Sequence, residues 1–127
     1  MFHYTVETEK SVEQAVESLE ANLKEEQFGV LWNFDLKGKL NEKGLDFEDD
    51  FWVLEVCNPK EAQRVLEQNK MAGYFLPCKM VVYKEQEQTR IGMPKPSSLT
   101  QMVNDDLILA MAEDIESRLI RCMDKSI

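Results

Sequence analysis

Leu54-Glu55-Val56-Cys57-Asn58-Pro59-Lys60-Glu61-Ala62 changes character at a single residue. Before Asn58, the run from Phe51 to Cys57 is apolar on both faces except at Glu55, which predicts a well-covered strand. From Asn58 onward the chain reads as a helix. Asn is a good N-cap, Pro59 presets the first helical position, and Glu61 puts negative charge in the first turn. Ala62, Val65 and Leu66 supply that helix's buried side. A second stretch, Leu76-Pro77-Cys78-Lys79-Met80-Val81-Val82-Tyr83, opens another doubly apolar strand at a cysteine beside a proline. Both stretches point to a fold and to a place on it, and neither points to a reaction.

Working outward, the patterns change cleanly. Phe2, Tyr4 and Val6 alternate with His3, Thr5 and Glu7, the period-two signature of a strand. Ser11 with Gln14 forms a capping box, and Val12, Ala15, Val16, Leu19 and Leu23 then recur at helical spacing. Phe28, Val30, Trp32, Phe34 and Leu36 alternate as another strand. Lys37 to Asp50, with Gly38, Asn41 and Gly44, reads as a polar connection with a short turn around Leu45 and Phe47. Gly73 and Pro77 bracket Tyr74-Phe75-Leu76, and Thr89 to Met93 forms a short strand ended by Pro94 and Pro96. Ser97 or Ser98 is expected to cap a long last helix carrying Val103, Leu107, Ile108, Met111, Ile115, Leu119, Ile120 and Met123 on one stripe.

The order is strand, helix, two strands, helix, two strands, helix. Strands and helices do not alternate regularly, which favours an α+β fold with a mostly antiparallel sheet of about five strands and about three helices. The doubly apolar strands belong in its centre. A chain of 127 residues is expected to form one domain, spanning residues 1–127, with no need for metal or disulfide staples.

Charge removes some functions. With 24 acidic and 15 basic residues the net charge is −9, and no basic stripe offsets it, which argues against nucleic acid and anionic membrane surfaces. No apolar run approaches membrane-spanning length, and Met1 to Glu7 lacks the features of a signal peptide. Three widely spaced cysteines do not suggest a disulfide framework, so a reduced, cytoplasmic protein is expected.

The Val56-Cys57-Asn58-Pro59-Lys60-x-Ala62 stretch and the Leu76-Pro77-Cys78-x-x-Val81-Val82-Tyr83 stretch, in that order, resemble the bacterial and archaeal family called domain of unknown function 302. The likeness is strongest from Phe51 to Tyr83 and weakest over the Lys37–Asp50 connection and the final helix. It implies a curved antiparallel sheet of the TATA-binding-protein-like kind and a homodimer. It implies no established activity, substrate or cofactor. The family's recurrent cysteines fall on Cys57 and Cys78, and its turn on Asn58-Pro59.

The cysteines carry the sharpest chemical expectation. Cys57 immediately precedes the cap at Asn58, where a helix's positive end favours thiolate. Antiparallel pairing of the two central strands would bring Cys57 near Cys78, as a redox pair or a soft-metal site. Cys57 is then the most acidic thiol and Cys122, near the last helix's C-terminus, the least. Against this, free cysteine is among the most buried residue types and packs well at strand ends. Glu55 needs a partner if its face is covered, and Lys79 on the facing strand is the candidate.

Other constellations are weaker. His3 is the lone histidine, no metal-ligating or nucleophilic triad spacing occurs, and no glycine-rich loop cradles phosphate. Asp46, Glu48, Asp49 and Asp50 lack calcium-loop spacing and read as a solvated turn. No metal or cofactor is expected. Two readings remain. One is a non-catalytic homodimeric module that binds a small apolar ligand or a protein partner in a cleft lined by Trp32, Met80, Met93 and Met111. The alternative is a thiol-dependent redox or soft-metal protein built on Cys57 and Cys78, with Asn58 and Glu55 beside them.

Overall fold

The computed structural model describes residues 1–127. In chain order it contains β1 (His3–Thr8), α1 (Val12–Glu25), β2 (Gly29–Asp35), α2 (Leu36–Glu42), β3 (Phe51–Cys57), α3 (Pro59–Gln68), β4 (Cys78–Glu85), β5 (Gln88–Pro94), α4 (Pro96–Thr100) and α5 (Asp106–Lys125). Short 3₁₀ segments at Lys70–Phe75 and Gln101–Val103 follow α3 and α4. The strands form one open, wholly antiparallel sheet in the order β1-β5-β4-β3-β2. The expected α+β class holds, and the two doubly apolar stretches do lie inside the sheet.

Local chemistry accounts for the element starts. Ser11 and Gln14 form the reciprocal capping box on α1, at 3.1 Å each way. The Asn58 side chain accepts from the Lys60 and Glu61 amides at 3.0 and 3.3 Å, which places the strand-to-helix switch at the residue where the sequence changes.

Helix number is a correction: there are five α-helices rather than three. The polar connection holds α2, started by Asp35 accepting from the Gly38 amide at 2.9 Å. It has no buried residue, so it leaves no apolar periodicity to read. Ser97 and Ser98 do not cap the last helix either. A short helix begins at Pro96, the chain turns through Asn104 at φ 60°, and Asp105 caps α5 by accepting from Leu107 and Ile108. Ser97 instead donates its amide and hydroxyl to Glu116 at 3.0 and 2.7 Å, fastening α4 to α5.

The core lies on one face of the sheet. Leu54 and Val56 of β3, Met80 and Val82 of β4, and Ile91 and Met93 of β5 are buried against Leu19 and Leu23 of α1 and Ile108, Ile115, Leu119 and Met123 of α5. Arg118 of α5 pins the helices together. Its guanidinium meets Glu61 of α3 at 3.5 Å and Glu26 at 3.8 Å, and lies 5.0 Å from the centre of the Phe28 ring.

A bulge reverses the reading of β2. Val30 pairs with Val56 but Trp32 pairs with Glu55, so Leu31 is the extra residue. One inserted residue flips the parity of everything beyond it. Val30 therefore packs on the core, while Trp32 stands 52% exposed on the opposite face, away from the helices.

Candidate functional site

The last turn of α3, the 3₁₀ segment after it, α4 and α5 meet over the start of β4 and the end of β5, and their packing leaves a cavity of about 410 Å³. Val65 lines it from α3, Ala72 from the 3₁₀ segment, Leu99 and Thr100 from α4, and Ile108, Ala112 and Ile115 from α5. Tyr74, Phe75, Leu76, Pro77 and Cys78 line it from the chain entering β4, and Met93 and Pro94 from β5. Eleven of its 17 lining residues are hydrophobic, and its only charged members are Glu55 and Lys79. The walls are tied by polar contacts outside the lining. Asp105 accepts from Asn69 and Gln68 at 3.4 and 3.5 Å, linking α5 to the chain after α3. Those bonds, with the Ile108 amide contributing most, hold the Asp105 carboxyl below its ordinary range.

The sequence-predicted residues divide. Glu55, Cys78 and Met93 line the cavity, whereas Cys57, Asn58, Trp32, Met80 and Met111 do not. Met80 is fully buried in the core, Met111 packs against that core, and Trp32 was moved to the other face by the bulge. Tyr74, Phe75, Leu99 and Ala112 were missed as lining. The proline and glycine bracketing Tyr74-Phe75-Leu76 was the only signal that could have found part of this set.

Cys57 and Cys78 lie close enough for one to bear on the other's titration, but they are not joined. Cys78 pairs in register with Val56, and both belong to the core-facing side. Cys57 is one residue further and so has the opposite parity. All three cysteines are free, and no group of three or more His, Cys, Asp or Glu side chains is arranged to hold a metal. The expected thiol acidity is also corrected. Burial pushes Cys57 up rather than letting the helix end pull it down. Burial, with nearby Cys57 adding, pushes Cys78 up to about 11, so Cys78 rather than Cys122 is the least acidic thiol. Cys122 is raised by burial and by Glu26, against the opposing charges of Lys125, Arg121 and Arg118, and its sulfur lies 3.5 Å from the Asn22 carbonyl. Packing, not reactivity, explains it.

The opposite face of the sheet carries an apolar stripe without a helix over it. Phe34, Val53, Val81 and Gly92 stand in one cross-strand row, with Thr5 beyond them. Rings stack on both sides of that row, Trp32 with Phe34 and Phe51 with Tyr83, each at 5.1 Å between centroids. Arg90 borders the stripe and is held by Glu85 at 2.6 Å, while its Nε is buried without a partner. Glu55 and Lys79 pair in register at the other end of this face.

An open five-stranded antiparallel sheet, with helices on one face and a cavity at the end of its central strand, defines a two-layer α+β protein. The model of the family described as domain of unknown function DUF302 matches residues 4–126, and the chain belongs to that family. The solved structure titled as an uncharacterized conserved protein DUF302 from Bacillus stearothermophilus is 54% identical, with a TM-score of 0.98 over 100% of this chain and 99% of that one. Among the curated proteins none matches. No helix is long and apolar enough to cross a membrane.

Proposed function

We propose that this protein is a non-catalytic, cytoplasmic homodimeric module that binds a small apolar ligand in the cavity over the start of β4. The cavity carries this reading. Its volume of about 410 Å³ falls within the range of roughly 300–1,000 Å³ typical of small-molecule sites, and apolar side chains dominate its lining. Nothing in the lining offers an activated nucleophile. Its one thiol, Cys78, is pushed up to about 11, so at neutral pH it is protonated and inert. No disulfide joins Cys57 and Cys78, and no third ligating side chain stands with them to hold a metal. The uncovered stripe around Val53 and Val81 supports the dimer, because soluble monomers seldom leave contiguous apolar patches of this kind bare.

Native mass spectrometry of protein purified from its own host tests the binding reading. The expected spectrum contains a non-covalent adduct that Leu99→Trp, which fills the cavity, removes while the circular dichroism spectrum is retained. A spectrum with no adduct, together with no saturable uptake of any apolar probe, would overturn the reading.

A further inference from the structure

We infer that two copies of this chain pair through the open sheet face about a twofold axis at Val81, each Arg90 meeting the other copy's Glu55. This inference rests on the homodimer reading and names the contacts that set its register. Strand parity defines the surface. Leu54, Val56, Met80, Val82 and Ile91 are buried under the helices, so Val53, Glu55, Lys79, Val81 and Arg90 stand on the other side. Glu55 lies on β3 beside Lys79, and Arg90 lies on β5 beside Tyr83. Lys79 and Tyr83 are two residues to either side of Val81 on β4, the strand between β3 and β5. With strands ~4.8 Å apart and ~3.4 Å per residue, Glu55 and Arg90 each lie about 8 Å from Val81, in opposite directions. A twofold axis through Val81, between the two faces and square to the line joining these residues, exchanges their positions.

Both charged groups lack partners within the chain. Glu55 is half-buried and enters none of the molecule's ion pairs, even though Lys79 sits opposite it. Arg90 gives only Nη1 to a protein acceptor, Glu85 at 2.6 Å, and its Nε is buried without one. A buried donor left unmade is costly, and a carboxylate arriving on the guanidinium offsets that cost on both sides. The two side chains together bridge the roughly 10 Å that separates packed sheets. Val53, Val81 and the two aromatic stacks lie between them, which gives the contact an apolar centre with charges at its rim. A basic protein would meet Arg90 and Lys79 on this face, and an acidic one would meet Glu55. A second copy presents both signs at the required spacing by construction.

The test swaps the charges one at a time in the intact chain and follows assembly by sedimentation equilibrium and native mass spectrometry. Glu55→Arg sets like charges together at both contacts of the pair, as does Arg90→Glu, so each variant alone should dimerise about a hundredfold more weakly than the parent. An equimolar mixture of the two variants should recover the dimer, with one chain of each kind, because both contacts again join opposite charges. Circular dichroism checks that each variant keeps its fold. A folded mixture that stays monomeric would overturn the pairing and leave a dimer of another register. Should Arg90→Glu lose its fold through repulsion from Glu85, Glu55→Arg decides alone, and pairing as tight as the parent's would overturn the inference. A parent mass near 14.8 kDa would overturn the homodimer reading and this pairing together.

Discussion

At the scale of single residues, burial outweighs the helix dipole. Cys57 sits one residue before the cap of α3, where the dipole is worth roughly 0.3–1 kcal/mol to an anion, yet its thiol is raised. Loss of water around a sulfur at a strand end is the larger effect. Cys78 shows it most, with a value of about 11 against the ordinary 9.0. A group whose folded value is raised contributes stability that is complete below its unfolded value and is lost as pH rises through the folded one. The contribution of Cys78 should therefore be intact below pH 9.0 and fade towards about 11. Tyr4 is raised as well, chiefly by its 2.7 Å hydrogen bond to Asp124, and adds to the same alkaline loss. Chemical denaturation of the parent and of Cys78→Ala between pH 8 and 11 should show a shallower pH dependence in the variant. Parallel curves would remove Cys78 from the account. In alkylation followed by peptide mapping, Cys57 should react before Cys78.

At the scale of elements, side-chain caps and one bulge decide where each piece starts and which way it faces. Asn58 is buried at its cap position and supplies the first two free amides of α3 with an acceptor. Asn58→Ala is expected to cost about 1 kcal/mol, the usual worth of such a cap, and to lower the thermal midpoint accordingly. Asn58→Asp should recover most of that loss, because a carboxylate also accepts from these amides and suits the helix start. An alanine variant as stable as the parent would show that Pro59 alone sets the start of α3. The bulge at Leu31 has the wider consequence, since it assigns Val30 to the core and Trp32 to the open face.

At the scale of the whole molecule, the open sheet face and the charge make separate predictions. Sedimentation equilibrium at micromolar concentration should give twice the 14.8 kDa of the chain, since a twofold pairing is the commonest closed arrangement and would cover the stripe. Val53→Asp would place a carboxylate in the middle of that stripe, so it should yield monomer with an unchanged circular dichroism spectrum. A parent mass near 14.8 kDa would sink the dimer. Gel-shift assays at physiological salt should show no binding to DNA or RNA, because a net charge of −9 leaves no counterion-release term to drive contact. A retarded band that persists at that salt would contradict this.

The sequence alone determined the elements whose residues must satisfy local rules. The alternation of Tyr4 and Val6, the Ser11–Gln14 box, the switch at Asn58 and the doubly apolar runs at Phe51 and Cys78 each depend on neighbours a few residues away. The short helix after Asp35 was not legible because it buries nothing, and the start of the last helix was misplaced because Ser97 spends its donors on Glu116. Of the predicted site, Glu55, Cys78 and Met93 reached the cavity, while Trp32, Met80 and Met111 went elsewhere. A methionine at helical or strand spacing reads the same whether it fills a core or borders a void. Only the tertiary structure decides which, since a cavity is what remains where α3, α4, α5 and the sheet fail to close on one another. The parity of Trp32 was decided in the same way, by a bulge that exists only once β2 is paired with β3.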